Sequence, residues 1–196
     1  MTLPAGLLKS FEILAMLTGA GYVVLAARRN RWCWIVGAIS SAFIALLAGL
    51  AQLPMQAGLQ VFFVGMSVYG WWSWTRSSVE GELPVGLWPH SRHVVAALAL
   101  TAVSLASAHF LARETDAAWP LLDSFTTWFS LLATWLQTRA RLENWLYWIA
   151  IDLVLVFLFY VRGRPLLALL NVLFIAIAAA GFVAWRRRLQ SQAAPA

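Results

Sequence analysis

Residues 143–161 read Glu-Asn-Trp-Leu-Tyr-Trp-Ile-Ala-Ile-Asp-Leu-Val-Leu-Val-Phe-Leu-Phe-Tyr-Val. From Trp145 to Val161 the only charged residue is Asp152, and the run ends on Arg162-Gly163-Arg164-Pro165. A bilayer core needs about 20 mainly apolar residues per helix, about 17 at the least, so this segment reads as a membrane span. Working outward, six more runs qualify or nearly qualify: Phe11–Ala27, Trp34–Leu50, Ala57–Trp74, His93–Ala112, Leu121–Thr138 and Pro165–Trp185. The gaps carry breakers. Arg28-Arg29-Asn30-Arg31 ends the first run and Gln52-Leu53-Pro54 separates the second from the third. The stretch from Thr75 to Arg92 is the longest loop, and Pro165 suits the first turn of the last helix. The tail after Leu189 is short and polar and reads as disordered.

Composition agrees. Of the 196 residues, 62% are hydrophobic and 11% charged, with 12 Trp and 11 Phe. Soluble domains average about 45–50% and about 25%. A soluble fold lacks the polar surface here, and disorder and fibrous repeats are excluded by the same numbers. The chain reads as an all-α integral membrane protein in a lipid bilayer, a single transmembrane domain over 1–196. Lys9, Arg113, Arg162 and Arg164 fall on the N-terminal side of seven spans; ten basic residues, from Arg28 to Arg188, fall on the other. The 14 basic residues against 8 acidic, +6, therefore report orientation rather than nucleic acid. They place the N-terminus outside and the C-terminus in the cytoplasm. One cysteine, Cys33, allows no intrachain disulfide and reads as a packed small residue. No cleavable signal peptide is convincing.

The chain also resembles itself. Asn30 and Trp34 match Asn144 and Trp148 at a spacing of 114; Gly70 and Trp74 match Gly181 and Trp185 at 111, the difference assigned to a shorter loop. Residues 11–74 then form a first three-helix repeat, 93–112 a linker helix and 121–185 a second repeat, a 3+1+3 arrangement. With the linker between them the copies run parallel, and such repeats hold substrate between them.

Asn30-Arg31-Trp32-Cys33-Trp34, Gln60-Val61-Phe62-Phe63 and Tyr69-Gly70-Trp71-Trp72-Ser73-Trp74 resemble the first half of the PnuC family of nicotinamide riboside transporters. Glu143-Asn144-Trp145, Trp148, Asp152, Gly181 and Trp185 resemble its second half more closely, and the likeness runs from about Glu12 to Arg187. The resemblance implies a seven-helix, SWEET-like carrier in the inner membrane. It implies facilitated diffusion by alternating access, feeding NAD synthesis, with a cytoplasmic ribosylnicotinamide kinase as functional partner and a homotrimer as assembly. Relatives in the wider Pnu group resemble thiamine or riboflavin transporters. Asn171 stands where the family pattern has an aromatic, which leaves the substrate within that group open.

Asn144, Trp148 and Asp152 recur at i, i+4 and i+8, one face of a helix, with Trp145 beside them. An ionised Asp at mid-membrane costs at least about 2.5–3.5 kcal/mol, so it faces a cavity or a partner. Nicotinamide riboside carries a pyridinium cation and a ribose. Trp can stack on the ring, worth about 2 kcal/mol when desolvated, and Asp152 either balances the cation or accepts ribose hydroxyls; the alternative is that it only ties helices together. Gln60 and Asn171 occupy matching places and offer amides to a carboxamide or ribose, or bond between helices. Trp34, matched to Trp148, joins the candidates. Thr127 does too, within a stripe with Ser130 and Thr134 whose bland reading is bonding back to its own helix. Asp123 reads as a cap for the fifth span. Trp71, Trp72, Trp74 and Trp185 read as an interface belt or a gate. His90, His93 and His109 lack metal spacing, and no cofactor, phosphate loop or catalytic set is visible. The rival class, a membrane-embedded enzyme, wants clustered ionisable groups in the spans, and only Asp152 lies deep.

Overall fold

The computed structural model describes residues 4–50, 54–80, 83–114, 119–163 and 165–193. Seven helices follow in order: α1 (Ala5–Ala27), α2 (Cys33–Leu50), α3 (Pro54–Glu80), α4 (His90–Glu114), α5 (Pro120–Thr138), α6 (Asn144–Val161) and α7 (Pro165–Ala193). Seven helices stand where the apolar runs predict them, and the C-termini of α1, α2, α5 and α6 coincide with the ends of those runs. Five of the seven, α1, α2, α4, α6 and α7, are long and apolar enough to cross a membrane. The chain is a multi-pass membrane protein.

Several helices outrun their apolar segments. The third continues to Glu80, so the long loop expected from Thr75 is helical at its start and regains helix at His90. The tail expected to be irregular after Leu189 is helical to Ala193. A helix keeps propagating at about one hydrogen bond per residue once nucleated, so polarity alone does not stop it. The breaker Gln52-Leu53 and Arg164 lie outside the described residues.

The chain divides into two units, residues 1–84 and 85–196. In the first, α2 packs against both α1 and α3. In the second, α4 packs on α5, α5 on α6 and α6 on α7. Large apolar side chains stand open on the outside of both, Leu17 at 66% exposure in the first and Leu166 at 78% in the second among them. A helix that is apolar all round and bare to its surroundings suits lipid, not water.

The polar residues of α5 are largely satisfied locally. Thr126 donates to Leu122 O at 2.8 Å, Ser130 to Thr126 O at 2.6 Å and Thr134 to Ser130 O at 2.8 Å. Asp123 makes no cap: Pro120 opens the helix and Asp123 lies in its first turn, favourable only toward the helix dipole.

The corners of the two units repeat in detail. Arg29 (φ 57°) and Ala140 (φ 50°) both take the left-handed conformation just after α1 and α5. Arg29 N–H donates to Ala26 O and Asn30 N–H to Leu25 O; Ala140 N–H donates to Gln137 O and Arg141 N–H to Leu136 O. Each is the paired helix stop that absorbs orphan carbonyls. The separation is 111 residues in each case, and it stays 111 from Cys33 to Asn144, Pro54 to Pro165, Gly70 to Gly181 and Trp74 to Trp185. The spacing of 114 read from Asn30 and Asn144 is therefore corrected. Trp34 corresponds to Trp145, not Trp148, and no shorter loop is needed. The identical Asn-x-x-x-Trp patterns are offset by three residues from the backbone match.

Candidate functional site

The aromatic pairs explain why those positions match. Trp34 and Trp74 meet edge to face with ring centres 5.3 Å apart, and Trp145 and Trp185 do so at 5.4 Å. All four rings are buried. Gly70 and Gly181 make room for them: a methyl group on Gly181 would stand 2.8 Å from the Trp145 ring, and one on Gly70 would overlap Trp34. Trp34 and Trp145 are thus packed into the helix junctions, and Trp74 and Trp185 belong to the same packing rather than to an interface belt. Of the belt candidates, Trp72 is exposed, with Arg76 over its ring at 5.5 Å, while Arg31 lies over Trp71 at 5.7 Å.

The face of α6 presents its polar groups in different states. Asn144 is fully buried; its Nδ2 donates to Arg141 O at 2.6 Å, closing the α5–α6 corner. Its Oδ1 and the Trp145 Nε1 are buried with no hydrogen-bond partner among the described residues. Trp148, one turn on, is half-buried and donates from Nε1 to Gln137 Oε1 at 3.3 Å. Asp152, a further turn along, is buried at 6% exposure.

The remaining candidates are distributed. Asn171, on α7, is buried and spends its Nδ2 on Leu167 O at 2.7 Å, leaving the carbonyl of its amide for other work. Thr127 is half-buried on α5 beside hydroxyls that bond back to the helix. Gln60, the counterpart of Asn171, is buried on α3 and belongs with Trp34 to the first unit. Within the second unit, then, Asn144, Trp145, Trp148 and Asp152 lie along one helix. No group of three or more His, Cys, Asp or Glu that could hold a metal occurs among the described residues.

Two features escape a reading of the spans. Gln137 ends α5, on a different helix from the Trp it serves. The second is a cluster at the start of α4 and α6. Trp88 N–H donates to Glu143 Oε1 at 2.7 Å, His93 Nε2 lies 3.4 Å from the same oxygen, and His93 Nδ1 is 3.0 Å from Tyr147 Oη. The Trp88 ring packs on His93 at 5.2 Å and on Trp135 at 5.3 Å. Below it, Gly86 exchanges backbone bonds with Ala140 and Leu142, fastening residues 85–89 to the α5–α6 corner. Glu143 sits inside the Glu-Asn-Trp motif, and that adjacency to a helix start was the available signal.

The second unit thus carries a buried carboxylate, Asp152, one helical turn from the Trp148 indole, in a fold made of apolar helices. The chain is 27% identical over 189 residues to the riboflavin/roseoflavin transporter RibM of Streptomyces davaonensis, covering 94% of this chain and 86% of that one. It is 25% identical over 201 residues to the nicotinamide riboside transporter PnuC of Escherichia coli, covering 89% and 84%. The crystal structure of the vitamin B3 transporter PnuC shares the fold, with a TM-score of 0.73 over 91% of this chain and 81% of that one, at 20% identity. The profile of the nicotinamide mononucleotide transporter family matches residues 9–187, and with nearly the whole helical body inside that match the chain belongs to this family.

Proposed function

We propose that the chain is an inner-membrane carrier that takes up nicotinamide riboside by facilitated diffusion, with the N-terminus outside and the C-terminus in the cytoplasm. The observation that carries the reading is the pairing on α6 of a half-buried, hydrogen-bonded Trp148 with a buried Asp152 one turn away. A flat cationic ring answers both: the indole face attracts it, and the carboxylate balances its charge. The constant offset of 111 residues supports two three-helix repeats, α1–α3 and α5–α7, with α4 as linker. Such a carrier only equilibrates its substrate, so net uptake needs a cytoplasmic sink, a kinase that phosphorylates the nucleoside being the simplest.

Riboflavin is the second reading. It is favoured by the similarity to RibM, and a flavin also presents a flat ring, but a neutral one. Titration of the purified protein with nicotinamide riboside, riboflavin, thiamine and nicotinamide separates the two. Nicotinamide riboside is expected to bind at micromolar Kd or tighter, with the affinity lost in Trp148→Ala. Tight riboflavin or thiamine binding with none for nicotinamide riboside would replace the proposed substrate.

A further inference from the structure

Gln137 is 1% exposed at the end of α5, among Leu136 and Ala140, which are fully buried. A primary amide in such a place is costly unless it is hydrogen-bonded, and an apolar residue would pack there without that cost. The first unit supplies the control. The counterpart of Gln137 at an offset of 111 is Ala26, which is fully buried.

That difference runs together with another. The counterpart of Trp148 is Gly37, and the counterpart of Ala133 is Tyr22. A methyl group on Gly37 would stand 2.8 Å from the Tyr22 ring. In the first unit the aromatic therefore comes from α1 and lies over a glycine of α2. In the second it comes from α6, opposite a helix that carries alanine. The buried amide occurs in the unit whose aromatic presents a ring N–H, and Trp148 Nε1 donates to Gln137 Oε1 at 3.3 Å. A packing role common to both corners does not account for an amide in one of them.

We propose that Gln137 is the positioning residue for Trp148. Its amide oxygen holds the indole by the ring N–H, so that one face of the ring keeps a fixed orientation toward the substrate. The inference rests on the reading of Trp148 as the stacking wall. An indole free to turn would have to be ordered when substrate binds, and that cost appears as lost affinity.

A double-mutant cycle on the purified full-length protein tests it, with nicotinamide riboside as probe, or riboflavin if that is what the wild type binds. Gln137→Met keeps the length and removes the acceptor; Trp148→Phe keeps a ring and removes the donor. Gln137→Met is expected to raise Kd about fivefold in the wild-type background, the scale of one hydrogen bond, and less than about 1.5-fold in Trp148→Phe. Equal losses in both backgrounds, or none in the first, overturn the inference. Trp148→Ala separates this from failure of the site reading. If Trp148→Ala leaves binding intact, the site and the positioning role fall together. If it abolishes binding while the cycle shows no coupling, only the positioning role falls. Should Gln137→Met not be recovered folded, Trp148→Phe carries the test alone, and unchanged affinity there overturns the role.

Discussion

Trp145 and Trp185 cross edge to face, 5.4 Å between ring centres and 88° between planes, and the contact fits only because residue 181 has no side chain. Such a pair is worth roughly 0.5–1.5 kcal/mol beyond the area it buries. Gly181→Ala places a methyl group 2.8 Å from an indole that is itself enclosed, so neither can yield cheaply. The expected cost is about 1–3 kcal/mol, read as a fall in Tm in detergent, and Gly70→Ala is expected to match it against Trp34. Gly65→Ala is the control. Nothing lies within 4 Å of its added methyl group, and alanine is the better helix former, so Tm should hold or rise slightly. Equal effects at Gly65 and Gly181 would mean that backbone propensity, not the indole contact, sets the result.

Those glycines also show what a sequence gives up readily. Apolar runs mark helices because lipid leaves no other use for them, and the ends at Ala27, Leu50, Thr138 and Val161 follow from the Arg and polar residues just beyond. The register of the repeat is harder. Identical letters at Asn30 and Asn144 draw the eye three residues off, while the true match is carried by a left-handed turn at Arg29 and Ala140. Neither residue is glycine, so the usual sign of that turn is missing. Trp148 and Asp152 are legible as a stripe because the period of a helix puts them on one face. Gln137 and His93 are not, since one meets its partner across a chain reversal and the other meets Tyr147, 54 positions on, past the whole of α5, and no local pattern encodes either.

Asp152 separates cationic from neutral substrates. Asp152→Asn keeps the shape and removes the negative charge. If the carboxylate balances a pyridinium ring, affinity for nicotinamide riboside falls about tenfold, roughly 1.4 kcal/mol, while a neutral flavin binds unchanged. The comparison is a pair of titrations on one variant. Equal losses for both ligands would assign Asp152 to the architecture of α6 instead.

Glu143 is expected to hold the start of α4 in place. Its Oε1 accepts the Trp88 N–H at 2.7 Å, a bond to a charged acceptor worth about 1.5–3 kcal/mol. Glu143→Ala should speed amide exchange at Trp88 by about tenfold or more, and at Gly86 by less, because Gly86 N–H is bonded independently to Ala140 O at 3.1 Å. Glu143→Gln retains an acceptor oxygen and should fall between. Exchange at Trp88 that ignores Glu143→Ala would show that ring packing on Trp135 and His93 suffices to hold the segment.

Orientation in the membrane gives the last prediction. If all seven helices cross, ten basic residues fall on one side against four on the other, a bias toward a cytoplasmic C-terminus. Three of those ten guanidinium groups lie over aromatics: Arg31 over Trp71, Arg76 over Trp72 and Arg139 over Trp135, all within 5.9 Å. An Arg held against an indole is suited to the headgroup layer, where one end of the pair is apolar and the other wet. Reporters fused to each terminus are expected to report the N-terminus outside and the C-terminus inside. A single added turn of basic residues should not change this, whereas replacing Arg28, Arg29 and Arg31 together should produce a mixed population, since the first loop weighs most in setting topology. Both reporters on one side would require an even number of spans, and would remove either α3 or α5, the two helices not apolar enough by composition, from the set that crosses.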